Sequence, residues 1–137
     1  MNPAPMPAIA ALYGGLIGIL LVFLAIPISR LRGELKVGLG DGGDTRLARA
    51  IRAHANTVEW ALPTLMLLLI AELNRASPWL LHACGIAPVV GRVLHAAGLS
   101  RSSGASFGRF AGTALTWGAL LLLAAWDLWA FGRLVFL

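Results

Sequence analysis

The chain has 137 residues, of which 58% are hydrophobic and only 12% charged, with a mean hydropathy of +0.80. Soluble domains run at about 45–50% apolar and about 25% charged residues, so this composition excludes disorder and argues against a soluble globular fold. Eleven Lys and Arg against six Asp and Glu give a net charge of +5, but the basic residues interrupt apolar runs instead of decorating a polar fold, which excludes a nucleic-acid partner.

No charged residue occurs from Met1 to Ser29, and Ile9–Ile28 alone supplies the roughly 20 residues that a bilayer-spanning helix needs. With neither a basic segment ahead of it nor a small-residue cleavage site before Arg30, this stretch reads as a retained first span, not a signal peptide. A loop is expected over Arg30–Asp44, where Gly33, Gly38, Gly40, Gly42 and Gly43 cluster. Its Gly38–Gly43 portion lacks the Lys-Ser/Thr ending of a phosphate loop and reads as turns. The next charge-free stretch, Trp60–Ala71, has 12 residues and is too short to cross alone. Its helix must therefore begin earlier, among the polar residues near Thr45. A tight turn at Asn74–Pro78 precedes a third charge-free stretch, Ala76–Gly91, and a Ser/Gly-rich loop at Leu99–Ser106 precedes the fourth, Phe110–Trp126. The expectation is a single domain over residues 1–137, an all-α integral membrane protein built as a four-transmembrane-helix bundle.

Nine of the eleven basic residues (Arg30, Arg32, Lys36, Arg46, Arg49, Arg52, Arg92, Arg101 and Arg109) fall on the face of the first and third loops. Only Arg75 and Arg133 lie opposite. The positive-inside rule then places those two loops in the cytoplasm and both termini outside, with Trp79, Trp126 and Trp129 near the outer interface.

The second span carries Arg52, Asn56 and Glu59 at i, i+4 and i+7, which share one helical face. Ionisable groups at membrane depth are costly and usually face a bundle interior or a wet cavity, where they carry function. Arg92 and His95 close the third span, Arg109 opens the fourth, and Ser29-Arg-Leu-Arg32 ends the first. All four spans thus deliver cationic or hydrogen-bonding groups to one level. Such a set suits a small anionic or zwitterionic ligand, with arginines for carboxylates and Glu59 for an ammonium group or to orient an arginine. Snorkelling anchors would explain the arginines but not Asn56 and Glu59. His54, His82 and His95 lack metal-ligand spacing, so no metal is expected. Ser102 and Ser103 have no base nearby in sequence, Cys84 reads as a small apolar packer, and Asp127 is expected to pair with Arg133 or with a neighbouring subunit.

The segment Arg52-Ala-His-Ala-Asn-Thr-Val-Glu-Trp-Ala-Leu-Pro63 resembles the signature of the MAPEG family, the membrane-associated proteins of eicosanoid and glutathione metabolism. Gly91-Arg-Val-Leu-His-Ala-Ala-Gly98 is similar to the end of the family's third helix, and Leu39-Gly-Asp-Gly-Gly43 resembles the first loop of bacterial members. The resemblance implies a bacterial inner-membrane homotrimer that binds glutathione between subunits near the cytoplasmic side. It implies glutathione contacts from Arg52, Asn56, Glu59, His95 and Arg30 or Arg32. It also implies that Arg109 stabilises the glutathione thiolate, with Arg101 as rival and Leu99 standing where many members have a second Tyr. The implied activity is that of a glutathione transferase or peroxidase acting on lipophilic electrophiles from the bilayer. The alternatives are a non-enzymatic lipid- or ligand-binding membrane protein of the same fold and, less supported because the first span lacks an acid, a small drug transporter.

Overall fold

Each apolar stretch satisfies its backbone polar groups internally by becoming a helix, the structure a bilayer demands of a single segment. The computed structural model describes residues 6–101 and 104–136, without the Arg101 side chain; Ser102 and Ser103 lie outside that description. Four helices follow in order: α1 (Ala8–Leu35), α2 (Thr45–Leu73), α3 (Pro78–Arg101) and α4 (Phe107–Phe136). All four are long and apolar enough to cross a membrane.

The early start expected for the second span is present. Asp44 caps α2, its carboxylate accepting from the amides of Arg46 and Leu47. Those amides and the Arg46 guanidinium, 2.9 Å away, hold the Asp44 carboxyl down at about 2. Three loop boundaries differ from expectation. α1 continues to Leu35, so Arg30 and Arg32 sit on its last turns, and Lys36 closes it in a left-handed conformation with φ 55°. Pro78 opens α3, as proline's fixed φ suits a first helical position. Leu99 belongs to α3 and is buried, because the helix runs on to Arg101.

α2 and α3 each pack against every other helix, whereas α1 and α4 lie on opposite sides and do not meet among the described residues. The buried stripe of α2, Ala53, Thr57, Ala61, Thr64, Leu68 and Ala71, recurs every three or four residues. α3 and α4 approach so closely that a Cβ on Gly112 would collide with the Gly91 carbonyl and one on Gly91 would stand 2.7 Å from the Gly112 carbonyl. Small residues permit this backbone contact, which is a principal source of helix association in lipid. The outward faces are apolar instead of polar: Leu12, Ile19, Phe23, Leu121, Leu128 and Phe131 are all exposed, as a bilayer-facing surface requires.

The end away from the basic loops holds a contact that no motif announces. α1 begins without a side-chain cap of its own, and Glu72, from the last turn of α2, accepts from the amides of Ile9 (2.9 Å) and Ala10 (2.6 Å). A carboxylate there satisfies two orphan donors and meets the positive end of the helix dipole. Glu72→Ala is therefore expected to lower stability by about 1–2 kcal/mol, with Glu72→Gln in between. Thermal unfolding in detergent checks the order; equal midpoints for Ala and wild type would show the cap to be redundant.

One expectation at that end is corrected. Asp127 does not pair with Arg133: six residues apart they point about 120° from one another round α4. Both Asp127 carboxylate oxygens are buried without a partner among the described residues, while Arg133 stacks on Trp129, 5.1 Å from its ring centre. Trp126 packs partly against the core, with its ring centre 4.8 Å from that of Trp129.

Candidate functional site

Arg92 organises the polar level. It is the largest fully buried side chain, with 1% exposure, and its guanidinium reaches two other helices. Nη1 donates to Asn56 Oδ1 on α2 at 2.6 Å, Nη2 to the Gly112 carbonyl on α4 at 2.7 Å, and Nε to Thr116 Oγ1 at 3.1 Å. Thr116 passes its own proton to the same Gly112 carbonyl at 2.9 Å. The glycine contact between α3 and α4 is what brings that carbonyl within reach. The acceptors are all neutral, so the charge is held by hydrogen bonds alone, which are stronger for carrying an ionised donor.

Arg52, Asn56 and Glu59 divide between two environments. Asn56 sits at the edge of the buried stripe and turns to Arg92. Arg52 and Glu59 lie on the outward side, paired at 3.2 Å with side-chain exposures of 62% and 48%. α2 has 29 residues, and Glu59 stands near its middle, about 21 Å from Thr45 at 1.5 Å per residue. An exposed ion pair reaching from the second turn to the middle of a spanning helix has no counterpart in a lipid-facing surface. His54 is half-buried on a different side of α2.

One turn beyond Arg92 towards the basic loops, His95 is buried, and its Nδ1 has no partner among the described residues. Arg92, Arg109 and Arg52 all place positive charge within Coulombic range of its ring. His95 and Arg109 line a groove of about 520 Å³ together with Ser106, Phe110, Thr113 and Trp117. Arg109 donates through Nη1 to the Gly104 carbonyl at 2.7 Å, tying itself to the α3–α4 loop. Trp117, from the same groove, meets Trp60 of α2 with ring centres 5.3 Å apart. Ala114 also lines a second, apolar recess of about 550 Å³ between α3 and α4, with Ala83, Ala87, Ala111 and Gly118.

The structure thus gathers Asn56, Arg92, His95 and Arg109 from three helices and leaves Arg52 and Glu59 paired beside them. It does not bring Arg30 or Arg32 into the cluster within one chain. Arg30 is exposed on α1, and Arg32 donates to the Val37 carbonyl at 3.3 Å. Arg92 and Thr116 were missed as organising residues. The signal for Arg92 was its burial-prone setting between Gly91 and apolar residues; Thr116 has none, because its role depends on the α3–α4 approach.

The MAPEG family model matches residues 10–129. The chain is also 38% identical over 121 residues to the inner membrane protein YecN of Escherichia coli strain K12, covering 88% of this chain and 91% of that protein. The YecN protein of Escherichia coli O6:H1 matches with the same identity and coverage.

Proposed function

The chain belongs to the MAPEG family, and from that premise we propose that it is a homotrimer binding glutathione between subunits, acting as a membrane glutathione transferase or peroxidase. The carrying observation is the Arg52–Glu59 pair. Two exposed ionised groups, one of them at mid-helix, need a polar cover, and a second copy of the chain with a zwitterionic tripeptide between the two provides one. The site fits such a ligand. Arg52 offers a guanidinium to a carboxylate with Glu59 fixing its orientation, Asn56 is held in place by Arg92, and His95 keeps an unused ring nitrogen. In the trimer, Arg30 or Arg32 reaches the site from the neighbouring subunit's α1.

Bound glutathione supplies the thiol nucleophile, which is why the chain needs no catalytic Ser or Cys of its own. Arg109 places positive charge in the groove and favours the anionic sulfur. The alanine- and glycine-lined recess admits a lipophilic electrophile from the bilayer and excludes water from its apolar part. The excess of basic residues at this end supports a site on the cytoplasmic side, with both termini outside.

Glutathione binding by the detergent-solubilised protein tests this reading. Glu59→Gln and Arg52→Ala are each expected to weaken binding about tenfold or more, the scale of one charge-assisted contact, and His54→Ala much less. Native mass spectrometry on the same samples should find three chains. A monomer that binds glutathione, or an equal loss at His54, would overturn the proposal.

A further inference from the structure

At the end of the bundle remote from Arg92 lies a second basic pocket, independent of the glutathione reading. It has a volume of about 320 Å³ and is lined by Asn74, Arg75, Trp129, Ala130 and Arg133 among others. Arg75 occupies the turn after α2 with φ 61°, its amide donating to the Glu72 carbonyl and the next amide, of Ala76, to the Ala71 carbonyl. That left-handed position is one glycine adopts freely and an L side chain resists. The strain is tolerated at a place where it delivers a guanidinium to the pocket.

Arg133 arrives from the last turns of α4, steadied by the Trp129 face. Its stacked guanidinium keeps its N–H edge for an acceptor. Neither arginine has an ion-pair partner among the described residues. The acids nearby are committed or withdrawn: Glu72 serves the α1 amides, and the Asp127 oxygens are buried and do not line the pocket. The pocket therefore presents two guanidiniums with no carboxylate paired to either among the described residues. Around it the surface is that of a membrane boundary, with Trp79 87% exposed and Leu128, Phe131 and Leu134 of α4 exposed in one apolar strip.

We propose that this pocket binds the phosphate of an anionic phospholipid between Arg75 and Arg133, with the acyl chains lying along the exposed face of α4. Two guanidiniums match phosphate oxygens by bidentate hydrogen bonding. The apolar strip beside them selects a lipid over a soluble phosphate.

The test uses the full chain in detergent, delipidated and offered phosphatidylglycerol, phosphatidylcholine with the same acyl chains, or inorganic phosphate, with occupancy read by native mass spectrometry. Phosphatidylglycerol is expected to be retained about thirtyfold better than phosphatidylcholine: both carry the phosphate, but the choline cation offsets that charge and is repelled by the two arginines, each worth about 1 kcal/mol towards a net anion. Arg75→Gly and Arg133→Gln should each cost about fivefold, and the double variant should bring the two lipids to parity. Arg75→Gly also relieves the strained turn, so without lipid it should melt at or above the wild-type temperature, which separates lost binding from lost folding. Equal retention of the two lipids, or a double variant that keeps the preference, would overturn the proposal. So would inorganic phosphate that displaces phosphatidylglycerol completely, since the site would then be one for soluble anions.

Discussion

Arg92→Ala is expected to destabilise the protein by about 3–5 kcal/mol, the cost of dismantling a buried charged network instead of trimming a surface. The variant leaves Asn56 Oδ1 without its donor and takes from the Gly112 carbonyl one of its two side-chain donors, Thr116 being the other, and it opens a void where the largest fully buried side chain stood. Arg92→Lys should recover little, because one ammonium cannot span three acceptors on two helices in the planar fork that guanidinium offers. Arg92→Met distinguishes brace from burden. Thermal unfolding in detergent is the measurement, with glutathione binding as a second readout, since Asn56 loses its anchor in all three variants. A Met variant as stable as wild type would show that the buried charge offsets only its own desolvation.

What could be read from the sequence, and what could not, follows from the range of each interaction. The spans, and the early start of α2 at Thr45, follow from the mismatch between 12 apolar residues and the thickness of a bilayer, a constraint that is local and one-dimensional. The common face of Arg52, Asn56 and Glu59 follows from helical period alone. That Asn56 turns inward while its two neighbours face out does not, because it depends on where α3 places Arg92. The Glu72 cap joins residues 62 and 63 positions apart, and the Gly91–Gly112 contact sets a carbonyl where only backbone proximity can put it. α1 and α3 run past the ends expected at Arg30 and Leu99, since a helix continues past its apolar core as long as its backbone has no better partner, and Pro78 opens α3 because its fixed φ suits a first helical position. The pairing of Asp127 with Arg133 fails on simple helical geometry, and its burial could not be inferred from an interfacial position in the chain.

The chemistry expected of Arg109 gives the second large effect. Arg109→Ala should reduce glutathione conjugation of an aryl halide by about a hundredfold or more, the scale of losing one preorganised group at a developing or stabilised anion. Glutathione should still bind, because Arg52, Asn56 and Glu59 hold the peptide through other contacts. Arg109→Lys should retain part of the activity, since it keeps a positive charge in the groove beside His95 and Trp117. A structural objection arises from the Nη1 bond to the Gly104 carbonyl, because an alanine there also loosens the α3–α4 loop. Activity alone would not separate the two effects. The thiolate absorbance of bound glutathione does so: a guanidinium near the sulfur favours the anion, so its removal should move the titration upward, towards the free-thiol value of about 8.5, whereas a loosened loop would weaken binding and leave the titration in place. Arg101, at the end of α3 with its side chain outside the described residues, supplies the control. Arg101→Ala should leave the titration where the wild type has it. If the Arg101 variant shifts the curve and the Arg109 variant does not, the thiolate belongs to the other arginine; if neither shifts it and no conjugation is found in the wild type, the pocket is a binding site and not a catalytic one.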